Sequence, residues 1–277
     1  MILKRDGDII KKNQGVKMKT KYPIVLVHGI MLKDVLFVKA FGKIEKRLKE
    51  NGFSVHTADH DGMGSIENNA RQLKSFIEGV LSSEGAEKVN IIAHSKGGLD
   101  SLYMINNLDA SDKVASITFL CTPHKGSVIA DKLYSLPKIV RGPLVFWFNL
   151  FYRMFGDESP DALTVCRQLC TSPDGILAAD EEKSGGIFMQ SFSSKMESHK
   201  DDFLMSIPHV ISHYYSSGET DGLVSTDSSK FALYRGHCIE ESVSHSEIVD
   251  FMTKKDKKEK IYAFYTELCT ELAQLGY

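Results

Sequence analysis

Three features of this 277-residue chain predict an α/β fold, with a mostly parallel central sheet flanked by helices and an inserted helical cap. Short branched apolar runs without polar alternation read as strands buried on both faces. Segments of helical period separate them, and strands alternating with helices build parallel sheets. One stretch, 124–207, breaks the alternation and is too long for a loop. It reads as a cap or lid insertion, leaving a core domain at 21–123 and 208–277.

Residues 1–20 form an extension in which Ile2, Leu3, Ile9 and Ile10 flank an Asp6-Gly7 turn, the pattern of a short hairpin. The first core strand is the run Ile24, Val25, Leu26, Val27, ended by His28-Gly29. Val38, Phe41, Ile44 and Leu48 recur at helical spacing, and Asn51-Gly52 stops them with residues suited to left-handed geometry. A second strand is expected at 53–58, followed by a helix through Ile66, Ala70, Leu73, Ile77 and Val80, with Ser65 able to cap it. A third strand is expected at 89–93, a helix at 99–108 and a strand at 114–120. Beyond the cap, 209–215 reads as another strand. The run Lys254, Lys255, Asp256, Lys257, Lys258 reads as a solvated loop. A last helix follows, with Ile261, Phe264, Leu268, Leu272 and Leu275 on one face.

Composition narrows the function. Hydrophobic residues make up 42% and charged residues 25%, ordinary globular usage that excludes a disordered or fibrous chain. Thirty-four basic against thirty-six acidic residues leave a net charge of −2, so no overall field draws in nucleic acid. Cys121, Cys166, Cys170, Cys238 and Cys269 show no disulfide or zinc spacing and are expected as buried thiols. Neither a secretory signal nor a spanning helix is indicated, so the reading is a soluble, cytoplasmic protein without stable membrane insertion.

The strongest chemical signal is Ala93-His94-Ser95-Lys96-Gly97-Gly98, placed where a buried strand turns into a helix. Such a turn presents the serine hydroxyl at the sheet edge in strained geometry, and its neighbours two residues away must be small. Serine needs a histidine to take its proton, and the histidine needs a carboxylate to fix its tautomer. Asp221, in Gly218 to Val224, is the chosen acid, with Glu219 its nearest rival. His245, in a loop leading to the final helix, is the chosen base. His237 is its main competitor, while His213, His124 and His94 fit the order less well, His94 because it should point away from the serine. The backbone amides of Ile30 and Lys96 are best placed as oxyanion donors; a plain tight turn is the other reading of His28-Gly29.

These residues together resemble the bacterial true-lipase (triacylglycerol lipase/esterase) family of α/β-hydrolases. The resemblance rests on Tyr22 to Gly29, Val89 to Asp100, Asp221-Gly222-Leu223-Val224-Ser225 and His245 opening a helix, with Thr122 to Ser127 similar to a further segment. It implies an α/β-hydrolase fold and an esterase or lipase, with Ser95 as nucleophile, His245 as general base and acid, Asp221 as its partner, and Ile30 and Lys96 as donors. Several members of the family hold a structural calcium, for which Asp201 or Asp202 and Glu247 are the implied ligands. The later ligand position falls on Phe251, which offers no oxygen, so neither metal nor cofactor is expected.

The most apolar stretch, 144–152, lies in the cap. Trp147, Phe148 and Phe151 are expected to bind the acyl chain or meet a lipid surface; a simple cap core is the other reading. The expected partner is a small-molecule ester or lipid. An acyltransferase or thioesterase would use the same residues, and a non-catalytic binding module of this fold is the reading from a different class.

Overall fold

A computed structural model describes residues 19–31, 33–34, 39–171, 184–216 and 218–277. The expected hairpin at 2–10 and Val38 lie outside them. A single sheet runs β2-β1-β3-β4-β5-β6, with every adjacent pair parallel. Its strands are β1 (Ile24–Val27), β2 (Val55–Thr57), β3 (Val89–His94), β4 (Val114–Leu120), β5 (Phe188–Ser193) and β6 (Leu233–His237). The helices are α1 (Ile44–Glu50), α2 (Ile66–Glu84), α3 (Lys96–Asn107), α4 (Val128–Tyr134), α5 (Lys138–Met154), α6 (Ala162–Gln168), α7 (Ser206–Tyr215), α8 (Thr226–Ser229) and α9 (Lys255–Gln274).

Strand alternation divides the core between the two faces. Ile24 and Leu26 of β1 point to a cluster completed by α1 and α9, through Ile44, Leu48, Ile261, Tyr265 and Leu268. Val25 and Val27 point the other way, to Leu73 and Ile77 of α2 and Leu102 and Ile105 of α3. Each such side chain withdrawn from water contributes about 1.5–3 kcal/mol. The caps follow the sequence: the Ser65 hydroxyl accepts from Asn68 N, and α2 ends on Gly85 in left-handed geometry.

Three expectations are corrected. The stretch 209–215 is not a strand: it lies in α7, where His209 and Ser212 are buried while Ile207, Val210, Tyr214 and Tyr215 are exposed. Its branched and aromatic residues suit a strand locally, but no sheet edge receives them. The strand that continues the sheet is β5, inside the stretch 124–207 assigned to the cap, so the sheet resumes at Phe188 and not after residue 207. The periodicity of apolar residues misses β5 because Gln190, Ser191 and Ser193 are fully buried there. Their partners come from neighbouring elements: Gln190 Nε2 donates to Thr118 Oγ1, Ser191 Oγ to Phe231 O, and Ser193 Oγ bonds Tyr234 OH. Lastly, the lysine run is no free loop. It opens α9, with Lys257 2.7 Å from Glu247 and Lys258 3.1 Å from Asp250. No helix among the described residues is long and apolar enough to cross a membrane.

Candidate active site

Ser95 is the single residue between β3 and α3. Its φ of 55° and ψ of −133° lie where a residue with a side chain is strained. Packing holds it there: Ser95 N donates to Leu120 O at the end of β4. The glycines around it leave no room for a side chain. A Cβ on Gly97 would stand 2.4 Å from His28 O, and one on Gly29 would stand 2.7 Å from Ser95 Cβ and 3.0 Å from Lys96 N. The end of β1 and the start of α3 therefore meet backbone to backbone, bringing the 29–31 loop against the serine.

The structure brings His245 and Asp221 to this point. His245 Nε2 is 2.8 Å from Ser95 Oγ, and His245 Nδ1 is 2.7 Å from Asp221 Oδ2. With Nδ1 donating to the carboxylate, Nε2 is the ring nitrogen left to accept from the serine hydroxyl. Asp221 is 1% exposed. Its other oxygen takes the amides of Leu223 and Val224, and its backbone oxygen takes His245 N. Asp221 and His245 are thus locked together twice. The rivals stand apart and bond each other: His237 Nε2 is 2.9 Å from Glu219 Oε2, and its Nδ1 is 2.8 Å from Ser193 Oγ. His94 does not point away from the site; its ring packs 4.5 Å from that of His245. Burial, then the nearby His245, pushes its pKa well below the usual value, so it stays neutral.

Two groups at the site gave no motif signal. Cys121, with a φ of 52°, places its thiol within 4.8 Å of the ligand atoms of Asp221 and His245, and its hydrogen bond with Cys238, then burial, raises its pKa well above the usual thiol value. The Lys96 side chain turns inward and is fully buried, its Nζ donating to both oxygens of the equally buried Asp100 at 2.9 and 3.0 Å. Asn69 Nδ2 joins them at 3.1 Å, and His60, stacked on His28, donates Nε2 to His28 O. This network is anchored on the residue whose backbone amide is one of the two expected oxyanion donors, Lys96, and reaches the end of β1 at His28 O. An i, i+4 spacing was the only available hint of the ion pair.

Among the described residues the only group of three side chains close enough to share a metal ion is Cys121, Asp221 and His245. The calcium ligands implied by the resemblance do not converge. Asp202 accepts from Ser244 Oγ and Ser246 Oγ, Asp201 from Ser242 Oγ, and Glu247 from Lys257 Nζ. Phe251 packs against the core.

Trp147, Phe148 and Phe151 are 64%, 49% and 46% exposed on α5, so they are not the core of a cap. Among the residues of that helix only Tyr152 is buried. Tyr152, with Val145, packs in a cluster that also holds Ile30, seating α5 over the 29–31 loop.

A parallel sheet carrying a strained serine between strand and helix, joined to a late histidine and aspartate, defines a hydrolase-type α/β architecture. The chain belongs to the alpha/beta hydrolase fold family, whose model matches residues 22–194. It is 34% identical over 166 residues to a triacylglycerol lipase of Pseudarthrobacter phenanthrenivorans, covering 55% of this chain and 51% of that one. It is 40% identical over 114 residues to a triacylglycerol lipase of Vibrio cholerae, covering 41% of this chain and 36% of that one. The chain spans about half or less of the length of these two relatives. Among solved structures it is similar to the mature form of Bacillus licheniformis lipase BlEst2, with a TM-score of 0.62 at 20% identity, over 90% of this chain and 92% of that one.

Proposed function

We propose that this protein hydrolyses carboxylic esters through an acyl-enzyme. The observation that carries the proposal is the unbroken line from Asp221 through His245 to Ser95, at 2.7 and 2.8 Å, on a left-handed turn. Ser95 Oγ attacks the ester carbonyl carbon while its proton passes to His245 Nε2, and Asp221 stabilises the imidazolium through Nδ1. The carbonyl electron pair moves onto oxygen, where the amides of Ile30 and Lys96 receive it. Collapse expels the alcohol with the proton from Nε2. Water then gives a proton to Nε2 as its oxygen attacks the acyl carbon, and Ser95 departs reprotonated, freeing the acid.

The relatives named triacylglycerol lipases support a lipid ester as the substrate class. We take the α4–α6 segment as the cap, and Trp147, Phe148 and Phe151 as its contact with acyl chains or a lipid surface. A large apolar face left exposed marks an interaction site.

The test is a chain-length series of p-nitrophenyl esters with wild type and Ser95→Ala. Turnover should fall by more than about 10⁴-fold in the variant; retained turnover overturns the reading. With a competing alcohol present, free acid should remain the main product, whereas a transferred ester would point to acyltransfer.

A further inference from the structure

The loop that carries His245 is held by charges supplied by the chain itself. Ser244 and Ser246, on either side of the base, both donate to Asp202 Oδ2, at 2.5 and 2.6 Å. Ser242 donates to Asp201 Oδ2 at 2.6 Å. Glu247, 2% exposed, accepts Ser244 N at 3.1 Å and Lys257 Nζ at 2.7 Å. From the same end of α9, Lys254 Nζ donates to Asp201 O at 2.8 Å.

Asp201, Asp202 and Glu247 thus each hold one short loop, and a buried carboxylate such as Glu247 needs a cation or donors to answer its charge. A calcium ion asks for about 6–8 oxygens converging at roughly 2.3–2.6 Å. Here Asp202 is taken by two hydroxyls, Glu247 by an ammonium and an amide, and position 251 offers only carbon. The residues do not fit the metal.

We infer that Lys257 is the built-in counter-cation of the His245 loop, a positioning residue that fixes the base without a bound metal. The ammonium clamps Glu247, Glu247 holds the amide of Ser244, and Ser244 with Ser246 fixes the backbone on both sides of the imidazole. The proposal rests on His245 being the base, and it adds what aims that base.

The experiment has two arms, each using p-nitrophenyl butyrate as the probe ester. In the first, wild type is treated with EDTA and then with excess calcium; melting temperature and kcat should both stay unchanged. In the second, Lys257→Met should lower kcat about tenfold or more, as a misaimed catalytic group does, with KM within about twofold. Lys257→Arg should restore most of the loss. A fluorophosphonate titration counts competent serines, so kcat is expressed per reactive site. Should Lys257→Met fold poorly because Glu247 is left buried and unpaired, the double variant Lys257→Met/Glu247→Gln removes both charges and should fold, with kcat still depressed.

Three results overturn the inference: a chelator-induced loss of melting temperature that calcium reverses, an unchanged kcat in Lys257→Met or, where that variant does not fold, in the double variant, or a loss wholly explained by fewer titratable sites. The melting-temperature arm does not depend on the chemistry at Ser95. It stands or falls separately from the ester-hydrolase reading, which Ser95→Ala decides.

Discussion

The sequence predicts a role for the Lys96 backbone amide alone, yet the side chain forms a fully buried ion pair with Asp100. Burial pushes the Asp100 carboxyl up to about 6, even though the Lys96 ammonium pulls it down. Two charges out of water are tolerated because each answers the other, so removing one is far worse than removing both. Asp100→Asn should lower stability by about 3–5 kcal/mol, while Lys96→Met/Asp100→Leu should lose much less. Urea unfolding at pH 7.5 measures both, and equal losses would refute the argument. The contrast with Ser95, Asp221 and His245 is instructive. Those three were legible because chain order and local motif carry them. The inward turn of Lys96 was not, because a lysine on a helix is solvated unless the tertiary fold closes around it.

At the scale of elements, the junction of β1 with α3 depends on Gly97. A methyl there would meet His28 O and Val27 O, backbone atoms that cannot step aside. Gly97→Ala should therefore yield little folded protein. Gly79, exposed within α2 with nothing near its missing Cβ, is the opposite case. Gly79→Ala should add about 0.5–1 kcal/mol, by removing the glycine penalty in a helix. That corresponds to a rise in melting temperature of up to about 4 °C for a chain of this size; a fall would sink the prediction. The elements read correctly from the sequence were β1, α1, β2, α2, β3, α3, β4 and α9, each marked by its own apolar pattern. The strand β5 was missed because buried Gln190, Ser191 and Ser193 look polar until their partners on β4 and near β6 are known. The helix α7 was misread because branched and aromatic residues favour a strand when no neighbour is in view.

For the molecule as a whole, buried histidines set the response to acid. Burial lowers His28 from 6.5 to about 4 and His124 to about 3, and His60 and His94 lie well below the usual value for the same leading reason. The unfolded chain therefore binds more protons than the native one below pH 6.5, and stability falls as pH drops from about 6.5 toward 4. Asp100, raised to about 6, works in the other direction between about 4 and 6. With Asp157, whose carboxyl burial also raises, that makes two groups against four, at about 1.4 kcal/mol for each pH unit of displacement. Melting temperature should thus decline steadily from pH 7 to pH 5. His124 stacks on Phe231 with neither ring nitrogen bonded among the described residues, so His124→Phe should make the decline shallower; an unchanged slope would exclude it as a contributor.

The exposed face of α5 acts at the same scale. Replacing Trp147 and Phe148 with alanine should raise KM for long acyl esters more than for acetate. Equal effects would remove the acyl-binding role.

The sequence by itself determined the parallel α/β architecture, the strained serine turn and the chain order of Ser95, Asp221 and His245. Those follow from local periodicity and from small residues that the chain geometry requires. Only the tertiary structure decided that β5 belongs in the sheet, that Lys96 and Asp100 pair in the interior, that His94 lies against His245, and that Lys257 reaches the loop of His245. These are contacts between residues distant in the chain, or burial imposed from outside the segment. A buried polar side chain and a solvated one are spelled alike until the partner that satisfies its hydrogen bonds has been brought beside it.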